Sequence, residues 1–357
     1  MKCSRTVSVI IPTYNRAHYL GEAIDSILNQ DIRDCQIEII VVDDGSTDNT
    51  KEVLKKYGSR VRYVYQDNRG AGPARNRGID EATGEWVSFL DSDDRWLPGK
   101  LTLQFEVLDA FPGYSAIHSE FLIFNETGIL TDKGLKYWVS DPSVLEPIVW
   151  DEIYAKRCDS ADYEVHAGGS SFPIYAGNIF AAQLKANCIS NWTLLVRRNC
   201  LSKEIRFSEN NKINEDYWFL CQLTEKCDII FMDIATAENR AHNEQRVTQA
   251  GYIELFKTHI DLCNKIYRPS NSIYRPSDEE IDRTCKLLNI MLFKKYLKDG
   301  MRSEARKTYD AIRKITGPGE DATYFFYWLT LWFPFNIVKN LIAVKAFLRK
   351  KLSQIHH

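Results

Sequence analysis

The stretch SFLDSDDRWLP, residues 88–98, sets Asp91, Asp93 and Asp94 within four positions behind an apolar run. Carboxylates so close repel one another, and a positive partner relieves that repulsion. Two of them at i and i+2 after a strand suit a hard, oxygen-seeking cation, Mg²⁺ or Mn²⁺, whose open positions can carry a diphosphate. On that reading Asp91 and Asp93 face metal or ligand, and Asp94 caps the helix that follows. The plainer alternative is a solvated turn. A second acidic pair, Asp43-Asp44 in VVDDGSTDNT, also closes an apolar run. Gly45 to Asp48 there is turn and cap chemistry, but a carboxylate over a sheet edge can accept the N–H of a nucleobase such as uracil. The third group is cationic. NRGAGPARNRGID (68–80) places Arg69, Arg75 and Arg77 around a helix start, which suits an anionic diphosphate. Close helix–sheet packing explains its Gly and Ala residues equally well.

These groups need elements to bring them together. Four β-type runs recur before residue 110: VSVII (7–11), IEIIVV (37–42), VRYVY (61–65) and WVSFL (86–90). Helical spacing fills the gaps, with Leu20, Ala23, Ile27 and Leu28 on one face of 17–30 and Val53, Leu54 and Tyr57 on one face of 48–57. Such alternation predicts βαβ units around a mainly parallel sheet. Ligands gather beyond the carboxyl ends of those strands. Each polar cluster sits at such an end: Pro12-Thr13-Tyr14-Asn15-Arg16, Asp43-Asp44 and Asp91-Ser92-Asp93-Asp94.

Composition removes other classes. The 357 residues, 44% hydrophobic, are enough for a catalytic-size domain and a smaller C-terminal part. Net charge is −2, so no global charge marks a nucleic-acid binder. Nine cysteines are scattered without a Cys-x-x-Cys pair, which argues against a disulfide framework or zinc knuckle and for a reducing cytosol. The first residues lack the apolar core of a signal peptide, and no uninterrupted apolar run reaches the length of a membrane-spanning helix.

The segments VSVIIPTYNRAHYLGEAIDSIL, IEIIVVDDGSTDNT, NRGAGPARNRGI and WVSFLDSDDRWLPGKL, in this order, resemble the successive signatures of family 2 glycosyltransferases. The resemblance implies the GT-A fold, a Rossmann-like α/β architecture, together with a sugar-nucleotide donor, a metal on the Asp-x-Asp and inversion at the anomeric carbon. It implies nucleotide-sugar contacts from Pro12, Thr13, Tyr14, Arg16, Asp43, Asp44, Arg75, Asp91, Ser92 and Asp93. Glu-Asp opening a later helix is also implied, and NEDYW (214–218) supplies it. By similarity Asp216 is the general base and Glu215 its neighbour; locally, acids in a first turn also answer the helix dipole. ENRAHNEQRVT (238–248) is similar to the family's Arg-x-His stretch, making His242 a candidate third metal ligand beside Asp93 and Asp91 or a contact to a donor phosphate, and Arg240 a neutralising cation.

Two departures matter. Phe207-Ser208-Glu209 stands where many relatives read Phe-Asp-Glu, and a Gln-x-x-Arg-Trp element is missing; the second favours single addition over processive synthesis. The expected organisation is a catalytic domain over 1–248, with a nucleotide-sugar half (1–110) and an acceptor half (111–248). A helical region follows over 249–357. Its tail, 322–352, has eight aromatics among the twelve residues 324–335, and Lys339, Lys345, Arg349, Lys350 and Lys351 follow. That pattern predicts an interfacial helix on an anionic membrane; the alternative is a helix docked on its own domain or on another subunit. It points to a peripheral enzyme on the inner face of the cell membrane, acting on a glycan or lipid-linked acceptor. The competing readings are an aspartyl-phosphate phosphatase and a catalytically silent nucleotide or glycan binder. The phosphatase needs a nucleophilic Asp on the first strand, whereas here the motif follows the fourth.

Overall fold

The computed structural model describes residues 5–139, 148–211, 213–241 and 251–316. The first strand, β1 (Arg5–Thr13), is followed by α1 (Ala17–Leu28), β2 (Cys35–Asp44), α2 (Thr50–Lys55), β3 (Val61–Gln66), α3 (Ala71–Glu81) and β4 (Trp86–Phe89). Every pairing among these four strands is parallel, in the order β3-β2-β1-β4. The central strands are buried along nearly their whole length, as expected when helices cover both faces. Ser8 and Ser88 are buried within β1 and β4, and the charged residues fall at or beyond the ends of these two strands.

Two close approaches fix α3. An added Cβ at Gly78 would lie 2.3 Å from Ile10 Cγ2 on β1, so only glycine lets the helix settle on that strand. At Gly72 it would lie 2.4 Å from the Ser208 carbonyl oxygen and 3.2 Å from Glu215 Cγ. The packing explanation of this glycine-rich stretch is thus correct, and it also decides how near a later helix can come.

The second half contributes β5 (Arg95–Trp96), α4 (Lys100–Ala110), β6 (Ala116–Asn125), β7 (Gly128–Thr131), α5 (Gly134–Val139), α6 (Trp150–Ile153), β8 (Lys156–Asp159), β9 (Pro173–Gly177) and α7 (Phe180–Gln183). A 3₁₀ turn at Asn191–Thr193 leads into β10 (Leu195–Arg197), and then come α8 (Glu215–Lys226) and β11 (Ile229–Arg240). Strand β10 is thus only three residues long. Strand β10 runs antiparallel between β4 and β6 and joins the two halves into one sheet. Beneath the junction, Phe89, Phe207 and Phe219 pack together, with Phe207 and Phe219 stacked at 4.2 Å.

The chain divides into two compact units, Met1–Val247 with Ser270–Pro276, and Thr248–Pro269 with Ser277–His357. In the second, α9 (Tyr252–Leu262), α10 (Asp278–Lys298) and α11 (Arg302–Thr316) realise the expected helical pattern. Ser277 and Glu280 form a reciprocal cap that starts α10. Among the described residues no helix is long and apolar enough to cross a membrane. The aromatic and basic tail lies outside the described residues.

Candidate active site

Strand β4 ends in a turn that carries the three aspartates, closed by a 3.0 Å bond from the Asp94 amide to the Asp91 carbonyl. Each carboxylate has a different environment. Asp91 accepts from Arg75 Nη2 at 2.6 Å. Asp93 remains half-buried, with Arg16 Nε 3.9 Å from its Oδ2. Asp94 is buried and accepts from Asn239 Nδ2 at 3.0 Å and from the Arg240 amide at 2.9 Å. Burial, with Asp93 and Asp91 adjacent, holds the Asp94 carboxyl well above the usual carboxylate range. Asp94 is thus no helix cap: α4 begins only at Lys100, behind a left-handed Gly99 and without a side-chain cap. The positive charge that the aspartates require is supplied, at least in part, by the protein's own arginines.

Arg75 connects the first and second halves. Its guanidinium, almost wholly buried, gives Nη2 to Asp91 and Nη1 to Glu215 Oε1 at 2.8 Å, and it lies 5.3 Å from the centre of the Phe207 ring. Helix α8 therefore opens beside the aspartate turn. Asn214, immediately before it, takes a left-handed φ of 60°, and the Asp216 carboxylate accepts its neighbour Tyr217's amide at 2.8 Å. Burial and the adjacent Asp216 push the Glu215 carboxyl up to about 7, against the pull of Arg75. Asp216 is also raised, chiefly by burial, with Arg75 opposing. Carboxyl groups whose proton affinity is raised in this way are suited to proton transfer.

The first acidic pair serves the loops around the sheet edge. Asp43 accepts from the Ser46 amide at 2.8 Å and from the Tyr63 hydroxyl at 2.9 Å. Asp44 accepts from Gln66 Nε2 (2.7 Å) and from the amides of Arg69 (2.9 Å) and Gly70 (2.7 Å). It thereby fixes the loop that delivers α3. Thr13, at the end of β1, is buried, and its hydroxyl has no partner among the described residues. Tyr14 is half exposed beside it. Asp48 ties the starts of two helices, accepting the amides of Ala17 and Thr50.

The structure thus brings Pro12 to Arg16, Asp43, Asp44, Arg75, Asp91 to Asp93, Glu215 and Asp216 to one end of the sheet. His242 lies outside the described residues. Arg69 and Arg77 turn aside, paired with Glu209 and Glu81 at 2.7 Å each. Sequence reasoning passed over Asn76, whose amide pairs with both backbone groups of Phe207 at 2.9 Å. Glu209, noted in the sequence only as part of the Phe207-Ser208-Glu209 departure, accepts from Arg69 and lies 3.3 Å from Asn76 Nδ2. Only the position of Glu209, two residues after Phe207 in a family-like stretch, signalled it.

An α/β enzyme fold around a mainly parallel central sheet, with paired acids beyond its strand ends, defines the class. The model of glycosyl transferase family 2 matches residues 8–153. An uncharacterized glycosyltransferase of Rickettsia typhi is 30% identical over 247 residues, covering 69% of this chain and 67% of that protein. The chain belongs to glycosyltransferase family 2. A Campylobacter jejuni protein named GalNAc(5)-diNAcBac-PP-undecaprenol beta-1,3-glucosyltransferase is 42% identical over 138 residues, 36% of this chain and 43% of that one. S. aureus TarS 1–349, crystallised in complex with UDP-GlcNAc, matches with a TM-score of 0.59 at 19% identity, over 87% of this chain and 82% of TarS. That likeness is one of fold, and the fold is GT-A. The chain spans only 39% of the length of two other Rickettsia glycosyltransferases that it matches.

Proposed function

We propose that this protein transfers one sugar, with inversion, from a uridine-linked nucleotide donor to a hydroxyl of a glycan or lipid-linked acceptor. The observation that carries the reading is the Arg75 bridge, because it joins the aspartate turn to the Glu215-Asp216 helix start. A donor held at the turn then lies beside a carboxylate able to take the acceptor's proton.

In this mechanism Asp216 accepts the proton of the attacking hydroxyl, and its raised affinity for a proton favours that step. Glu215 and Arg75 orient the carboxylates and the acceptor. Thr13, Tyr14 and Asp44 border the nucleobase end, with Pro12 and Arg16 beside them. Asp93 and Asp91 offer oxygen donors only, which fits Mn²⁺ or Mg²⁺. Among the described residues no group of three or more His, Cys, Asp or Glu is arranged for a metal. The donor's own phosphate oxygens would thus have to complete the shell, as is usual for Mg²⁺ held by one or two carboxylates. The cation, when bound, would neutralise charge on the departing diphosphate.

The lipid-linked acceptor is suggested by the name of the Campylobacter relative. The basic, aromatic tail supports work at a cytoplasmic membrane surface in glycoconjugate assembly. Membership of the glycosyltransferase family removes the grounds for the phosphatase reading. The test is transfer and hydrolysis with a panel of UDP- and other nucleotide sugars, with Mn²⁺, Mg²⁺ or a chelator. Release of UDP that depends on the cation and on Asp216 supports the proposal; turnover unaffected by thorough chelation would sink the metal role.

A further inference from the structure

The aspartate turn is held from outside its own strand by the last residues of β11. Asp94 accepts from Asn239 Nδ2 and from the Arg240 amide. Arg240 returns the contact, donating from Nε to the Asp93 carbonyl at 3.1 Å. Its Nη2 donates to Glu22 on α1 at 2.6 Å. The guanidinium carbon lies 4.7 Å from the centre of the Tyr19 ring and 4.6 Å from that of Phe124. Just beyond the turn, β5 pairs with β11, placing Arg95 opposite Glu238, with a 2.8 Å ion pair between Arg95 and Glu238.

Three segments distant in sequence, α1, the end of β6 and the end of β11, therefore meet at the Arg240 side chain, whose Nε holds the carbonyl of the peptide plane between Asp93 and Asp94. Fixing that plane fixes where the Asp93 side chain leaves the backbone. A turn that only closed a loop would not need a buried carboxylate, whose desolvation is costly unless fully hydrogen-bonded. Arg240 is accordingly not a cation held in reserve for the diphosphate, since Glu22 and the Asp93 carbonyl engage it.

We propose that Arg240 and Asp94 are positioning residues that lock the Asp93 carboxylate in the orientation needed for the cation–diphosphate donor. The inference rests on the reading of Asp93 given above, and its test separates the two. The probe is UDP in the presence of titrated Mn²⁺, measured by calorimetry on the full chain as wild type, Arg240→Met, Arg240→Lys, Asp94→Leu and Asp93→Asn. Methionine keeps an unbranched stem between the two rings but removes every donor. Arg240→Met and Asp94→Leu should each raise the Mn²⁺ concentration needed for UDP binding by about tenfold or more, as loss of an orienting partner does at metal sites. Arg240→Lys, which can reach one acceptor but not the planar set, should fall in between. The thermal midpoint of Arg240→Met should move by less than about 3 °C, separating positioning from a loss of folding. Loss of Mn²⁺ dependence in Asp93→Asn with none in Arg240→Met would overturn the positioning role alone. Wild-type UDP binding indifferent to Mn²⁺ and to Asp93→Asn would overturn the reading of Asp93, and the positioning role with it.

Discussion

Arg75 and Glu215 lie 140 positions apart in the chain, and their side chains meet in a 2.8 Å ion pair beside Asp91. This buried contact holds the start of α8 against the aspartate turn. It places one fixed cation among acids that would otherwise repel.

Arg75→Met should therefore do more than weaken donor binding. Removing one partner of a buried charge network costs about 3–5 kcal/mol, because the remaining charges stay desolvated. The loss should be largest at alkaline pH and shrink on acidification, as Glu215 and Asp216 take up protons. Urea denaturation at several pH values checks this; a pH-independent loss would contradict it.

The acid limb of the activity profile should belong to the Glu215-Asp216 pair. A base must be ionised, so kcat/KM should fall as pH drops through the raised carboxyl range. Asp216→Asn should lower transfer by about 10²–10⁴-fold while UDP still binds. Retained turnover would remove Asp216 as the base.

Stability carries the same signature with the opposite slope. The Glu215 carboxyl moves from 4.5 to about 7 on folding, so the folded state binds a proton more tightly than the unfolded chain. Its contribution is fully present below pH 4.5 and is lost as pH rises through about 7. Glu215→Gln should flatten the stability profile across that window, measured by thermal melts from pH 4 to 8.

Gly72→Ala and Gly78→Ala should separate site from scaffold. Alanine at 72 drives a methyl into Ser208 and toward Glu215, prising α8 from α3 and opening the Arg75 bridge. Alanine at 78 collides with Ile10 in the core. Both should cost about 1–3 kcal/mol as overpacked positions, but kcat should fall far more in Gly72→Ala. Equal kcat in the two variants would refute the role given to the α3–α8 approach.

Deleting residues 322–357 should abolish flotation with vesicles containing anionic phosphatidylglycerol, and high salt should release the intact protein from them. Flotation of the deleted form would reject a membrane role for the tail.

The sequence by itself determined the parallel sheet and the placing of acids beyond it. Apolar runs such as VSVII and WVSFL can be buried on both faces only as central strands, so the polar residues after them must emerge at one edge. Its ordered motifs also marked Asp91, Asp93, Asp216 and Arg75. It could not assign partners to the three aspartates, because Arg75, Arg16, Asn239 and Arg240 reach them from separate parts of the chain. Nor could it show that Asp94 is buried against β11 instead of capping α4. Local spacing records which side chains share a face; which charge meets which across 140 or more residues is decided by close packing, here by a glycine at 72 and a strand end at 240.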